Sequence, residues 1–153
     1  MLKKLLDRVS DALGARDNDA PADRDSAVRL ATAVLMVDVA RADNEFSAEE
    51  FDRVVSLATR HFGLAPEQAA ELTNAADETA EDLVSLHEFT QLLHAELSDS
   101  EKADVVRLLW RVAFADGELD RYEDALVLTI GDVLHVSRGL VMRLKHDAAP
   151  PPP

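Results

Sequence analysis

The sequence predicts an all-α protein: a helical bundle with an internal helix-turn-helix duplication. Three observations carry that prediction. Ala and Leu recur throughout, Gly and Pro are confined to a few places, and aromatics make up only 5%, so helices can pack closely through small side chains. Apolar residues return at helical spacing in segment after segment, several of them opened by capping-box patterns. The acidic stretch Ala115-Asp116-Gly117-Glu118-Leu119-Asp120-Arg121-Tyr122-Glu123 recurs as Ala42-Asp43-Asn44-Glu45-Phe46-Ser47-Ala48-Glu49-Glu50, without a gap, at an offset of 73 (116 minus 43). With 153 residues and 47% hydrophobic content the chain suits one domain with a single sizeable core.

Taken in order, residues 1–13 place Leu2, Leu5, Leu6, Val9 and Leu13 on one helical stripe, with Lys3, Lys4 and Arg8 among the rest. This amphipathic helix suits either weak membrane-surface contact or partner docking, or else a terminal helix laid on the core or left loose. Residues 14–24 (GARDNDAPADR) have almost nothing to bury and read as a flexible linker. The globular domain spans 25–147. Its first helix, Ser26 to Ala42, is apolar nearly all round and should be central. Asp38 is the exception, on the face of Ala31, Val34, Leu35 and Ala42, where an unpaired carboxylate is costly.

The first acidic turn follows, and Ser47 with Glu50 opens a helix that Gly63 ends. Pro66 starts the next helix, which fades near Asp77 into a connector with a helical turn. Ser85 with Glu88 and Ser98 with Glu101 open two more helices, the second containing Leu108, Leu109 and a core Trp110. After the second turn Asp120 with Glu123 caps a helix from Arg121 to about Leu134, with Tyr122 packing at its start. Ser137 starts a short last helix, and residues 148–153 form a disordered Pro tail.

The repeat extends past the turns: Leu35 matches Leu108, Val39 matches Val112, Ala42 matches Ala115, and, after a one-residue shift, Phe62 matches Leu134 and Leu72 matches Leu144. Two such halves pack about a pseudo-two-fold axis. Asp38 then corresponds to Arg111, and residues equivalent across an axis meet when they lie near it, so an Asp38–Arg111 ion pair is expected.

A formal charge of −14 excludes nucleic acid as a partner, which needs clustered Lys and Arg, and favours cations or basic protein surfaces. The chain has no cysteine, hence no disulfide or zinc-thiolate chemistry, which fits a cytoplasmic setting. Lys3 and Lys4 resemble the start of a signal peptide, but Asp7, Arg8 and Asp11 interrupt it, and no apolar run is long enough for a membrane span.

From about Ser26 to His146 the chain resembles the TerB (tellurite resistance protein B) family. The residues that carry the resemblance are Val39-Ala40-Arg41-Ala42-Asp43, Glu88-Phe89-Thr90 and Leu109-Trp110-Arg111-Val112-Ala113-Phe114-Ala115-Asp116-Gly117-Glu118-Leu119-Asp120. The resemblance implies a compact bundle of about seven to eight helices in two pseudo-repeated halves, with the acidic turns as metal-ion sites. It also implies a link to tellurite or metal stress response without an established enzymatic activity. Matched residue by residue, the acidic positions are Asp43, Glu45 and Glu50 in the first turn and Asp116, Glu118 and Glu123 in the second. Asn44 and Ser47 stand where the second turn has Gly117 and Asp120, which makes the first site poorer in charge.

Asp116, Glu118, Asp120 and Glu123 offer an oxygen-only donor set suited to a hard divalent cation, Ca²⁺, Mg²⁺ or Mn²⁺. The spacing is not that of an EF-hand, since Val127 stands where the bidentate Glu belongs. Acids at helix N-termini are also favoured by the macrodipole and N-cap bonds with no metal present. His61, His87, His94, His135 and His146 are scattered and make no ligand set, and no enzyme motif is visible. Two functions compete: a non-enzymatic, cation-binding stress protein, and an interaction module whose acidic surface docks an unknown protein partner. Metal-assisted hydrolysis is a distant third.

Overall fold

The computed structural model describes residues 20–42, 46–81, 86–115 and 119–149, with side chains from Asp25 onward. Seven helices follow one another: α1 Ala20–Ala40, α2 Ala48–Phe62, α3 Pro66–Glu81, α4 His87–Glu96, α5 Asp99–Ala113, α6 Arg121–Val133 and α7 Arg138–Ala148. Among the described residues there is no strand, and no helix is long and apolar enough to cross a membrane.

The near-continuous apolar run makes α1 the axis of the bundle. Leu30, Val34, Leu35, Met36 and Val37 have no solvent exposure, and the helix packs against each of α2 to α6. A helix apolar on all sides requires neighbours on all sides, and this one has them. The polar exception on its inner length, Thr32, returns its hydroxyl to Val28 O at 2.8 Å.

The duplication is visible in the packing. Exchanging α1 with α5, α2 with α6 and α3 with α7 maps the contacts α1–α3, α2–α3 and α1–α2 onto α5–α7, α6–α7 and α5–α6, and exchanges α1–α6 with α2–α5. Helix α4 has no counterpart in this exchange and packs on α1 and α6.

Local chemistry sets the helix ends. Ser47 and Ser98 close reciprocal capping boxes with Glu50 and Glu101, and Asp120 and Ser137 cap α6 and α7 through Tyr122 N and Leu140 N. Helices α2 and α6 end alike, with a residue in the left-handed region and a six-to-one bond, Leu64 N to Thr59 O and Val136 N to Gly131 O. In α2 the left-handed residue is Gly63 (φ 65°), and in α6 it is His135 (φ 62°), where a side chain costs about 1 kcal/mol.

Three local expectations differ from the structure, and a fourth, the cap of α4, falls outside the described residues. Helix α1 begins at Ala20, inside the stretch read as linker, because Pro21 in a first turn sacrifices no hydrogen bond. Helix α3 continues past Asp77 to Glu81, with Thr79 bonded to Ala75 O at 2.7 Å and Ala80 packed against the core. Leu86 precedes α4 with no side-chain cap, and Ser85, the expected cap, lies outside the described residues. Tyr122 is 56% exposed, its ring under the Arg121 guanidinium at 5.1 Å, because it sits on the outer side of the first turn of α6. The expected helix at 1–13, the linker up to residue 19 and the tail from 150 also lie outside the described residues.

Candidate cation site at the paired turns

The acidic turns are placed by the four helix ends that bracket them. Ala40 closes α1 and Ala113 closes α5, and the chain re-enters helices at Ala48 and Arg121. Asp43, Glu45, Asp116 and Glu118 lie outside the described residues, so the described part of the expected ligand set is Glu50, Asp120 and Glu123.

Glu50 and Glu123, the last acids of the two turns and equivalent in the repeat, line the same cavity together with Ala40, Arg53, Val112 and Ala115. Its volume of ≈ 20 Å³ is about that of one water-sized group. The exchange symmetry thus brings Glu50 and Glu123 to one cavity. Glu123 is only 7% exposed, although it occupies the first turn of α6, where a carboxylate is ordinarily solvated. Glu50 keeps its carboxylate within 3.4 Å of Ser47 N, and Asp120 accepts from Tyr122 N at 3.1 Å, so both also serve as helix caps.

Arg53 was not among the expected site residues. Its position three residues after Glu50, on one face of α2, is the sequence signal that places a cation on this cavity. Among the described residues no group of three or more His, Asp or Glu is placed to hold a metal ion, and the histidines do not gather into one.

The structure does not bring Asp38 and Arg111 together. Among the described residues no ion pair links them: Asp38 is half-buried and Arg111 is exposed. Burial pushes the Asp38 carboxyl up from its ordinary range, and Arg41, one helical turn on, partly offsets this. Arg41 in turn pairs with Asp77 of α3 at 3.0 Å. Arg111 acts instead on His61, whose pKa burial lowers, with Asp104 opposing and Arg111 adding to the shift.

A duplicated, all-helical bundle in which equivalent glutamates of the two halves line one cavity is a recognisable class of small protein domain. The chain belongs to the family described as tellurite resistance protein TerB, whose model matches residues 29–146. No curated protein and no solved structure matches the chain.

Proposed function

We propose that this protein is a non-enzymatic binding protein whose paired acidic turns take up a divalent cation, in the setting of tellurite or metal stress, of which the family description names tellurite resistance. The observation that carries the reading is the convergence of Glu50 and Glu123 on one cavity, with Glu123 drawn out of solvent. Oxygen donors from two helix N-termini, with Asp43, Glu45, Asp116 and Glu118 in the connecting turns, fit Ca²⁺, Mg²⁺ or Mn²⁺. A bound ion would relieve the repulsion among these carboxylates. A second reading, an interaction module with an acidic docking surface, draws support from Glu50 and Asp120, which already work as caps.

Linkage separates the two. A cation that binds only the folded state stabilises it by RT ln(1 + [L]/Kd), roughly 2.7 kcal/mol at a hundredfold excess over Kd. Calcium, magnesium and manganese titrations of the full chain should raise Tm, and Asp116→Asn combined with Glu123→Gln should remove most of the rise. The pair Asp43→Asn and Glu50→Gln should remove less, since Ser47 gives that turn a neutral group where the other has Asp120. Equal, ion-insensitive melting of all three proteins would sink the cation reading and favour the docking module.

A further inference from the structure

A cavity of ≈ 200 Å³ is lined by Asp99, Lys102, His135, Val136, Ser137 and Leu140, none of them an expected ligand of the acidic turns. Lys102 is the unusual member. It is only 7% exposed in a chain of formal charge −14, yet among the described residues no carboxylate lies within 4.0 Å of its ammonium. Its hydrogen-bond partner is His94 Nδ1, at 2.8 Å. An ammonium only donates, so Nδ1 accepts and His94 carries its proton on Nε2, which leaves two Lys102 N–H bonds unmatched among the described residues. The side chain is withdrawn from solvent and borders the cavity, where a counter-charge to its ammonium fits.

His135 supplies an independent observation. It occupies the left-handed helix-ending position that Gly63 fills in the first half of the repeat, so the backbone there asks for glycine and carries an imidazole instead. The ring stacks on His94 at 4.4 Å between centroids, with 29° between planes, and lines the cavity. The left-handed conformation costs free energy at a residue with a side chain, and the imidazole carried there lines the cavity. Beyond it, Ser137 caps α7 while its hydroxyl hydrogen stays available, and Gly139 leaves open space over the first turn. The positive end of a helix therefore adjoins the same cavity. Val136 and Leu140 provide apolar wall, and Asp99, the one carboxylate on the lining, is exposed.

We propose that this cavity binds a small oxyanion, a phosphate group or the carboxylate of a small acid, with Lys102 as its counter-charge and His135 and Ser137 as hydrogen-bonding partners. The site is separate from the cation reading, and neither depends on the other. The test is titration of the full chain with inorganic phosphate, acetate and chloride at matched ionic strength, followed by NMR of the His94 and His135 ring protons and by calorimetry. Phosphate or acetate should shift both rings saturably where chloride does not, and the stronger of the two names the ligand chemistry.

Lys102→Met should weaken that binding about tenfold or more, as loss of a charged hydrogen-bond donor does. His135→Gly keeps the backbone geometry, should melt no lower than the wild type, and should still weaken binding severalfold. Phosphate, acetate and chloride acting alike would overturn the proposal, as would binding that His135→Gly leaves unchanged in a fully folded protein.

Discussion

Gly131 shows how one absent methyl group sets the distance between two helices. A Cβ at this position of α6 would lie 2.8 Å from Val141 Cγ2 of α7. Val141 cannot retreat freely, because its carbonyl accepts the buried Trp110 indole N–H at 3.0 Å. Gly131→Ala therefore sets a helix-propensity gain of up to about 1 kcal/mol against overpacking of about 1–3 kcal/mol. We expect a net loss of stability, read as a lower Tm; an unchanged or higher Tm would show that Val141 finds another rotamer without cost. Asp38 poses the opposite case, a group held where its charge is unwelcome. Its folded pKa is raised, so protonation favours the folded state: that stability is present below the unfolded pKa of 3.8 and is lost as pH rises through the folded value. At neutral pH the wild type bears the burden of the ionised form. Asp38→Asn should melt slightly higher than wild type at pH 7, and the gap should narrow on acidification toward pH 4. A gap that widens instead would mean that attraction to Arg41 outweighs burial.

At the scale of the helix, capping explains why much of the fold could be read from sequence. The pairs Ser47 with Glu50 and Ser98 with Glu101 were legible because a cap is a local device, complete within four residues. Ser98→Ala should cost about 1 kcal/mol, a drop of roughly 2–4 °C; an unchanged melting curve would mean that packing of α5 alone fixes its start. Features set by distant partners were not legible in this way. The length of α3 depends on Asp77 reaching Arg41 and on Ala80 meeting the core, contacts that no local pattern announces. The repeat read correctly where it concerned helices and apolar positions, while the meeting of Glu50 and Glu123 at one cavity is a finding of the structure. It misled for Asp38 and Arg111, because equivalence in sequence does not put a pair on the axis, and α4, packed on α1 and α6, has no counterpart in the exchange of halves. Aligning Phe62 with Leu134 also aligned Gly63 with His135, and a histidine at a glycine position was a signal available from the start.

For the molecule as a whole, the surplus of acids over bases is the dominant long-range force. Thirty Asp and Glu against sixteen Lys and Arg leave a formal charge of −14 on one compact bundle, so folding concentrates like charges that the unfolded chain keeps apart. Raising monovalent salt from about 0.01 to 0.15 M shortens the screening length from roughly 30 to 8 Å, and should raise Tm for the wild type. That rise needs no site. A divalent cation at the same ionic strength screens comparably, so any further rise measures binding rather than screening. The double variant Asp116→Asn with Glu123→Gln removes two charges from −14, and should therefore keep most of the salt response while losing the divalent increment. Loss of both together, or an increment that follows ionic strength alone, would place the acidic turns among general surface charges, with the shared cavity of Glu50 and Glu123 a consequence of the two-fold packing.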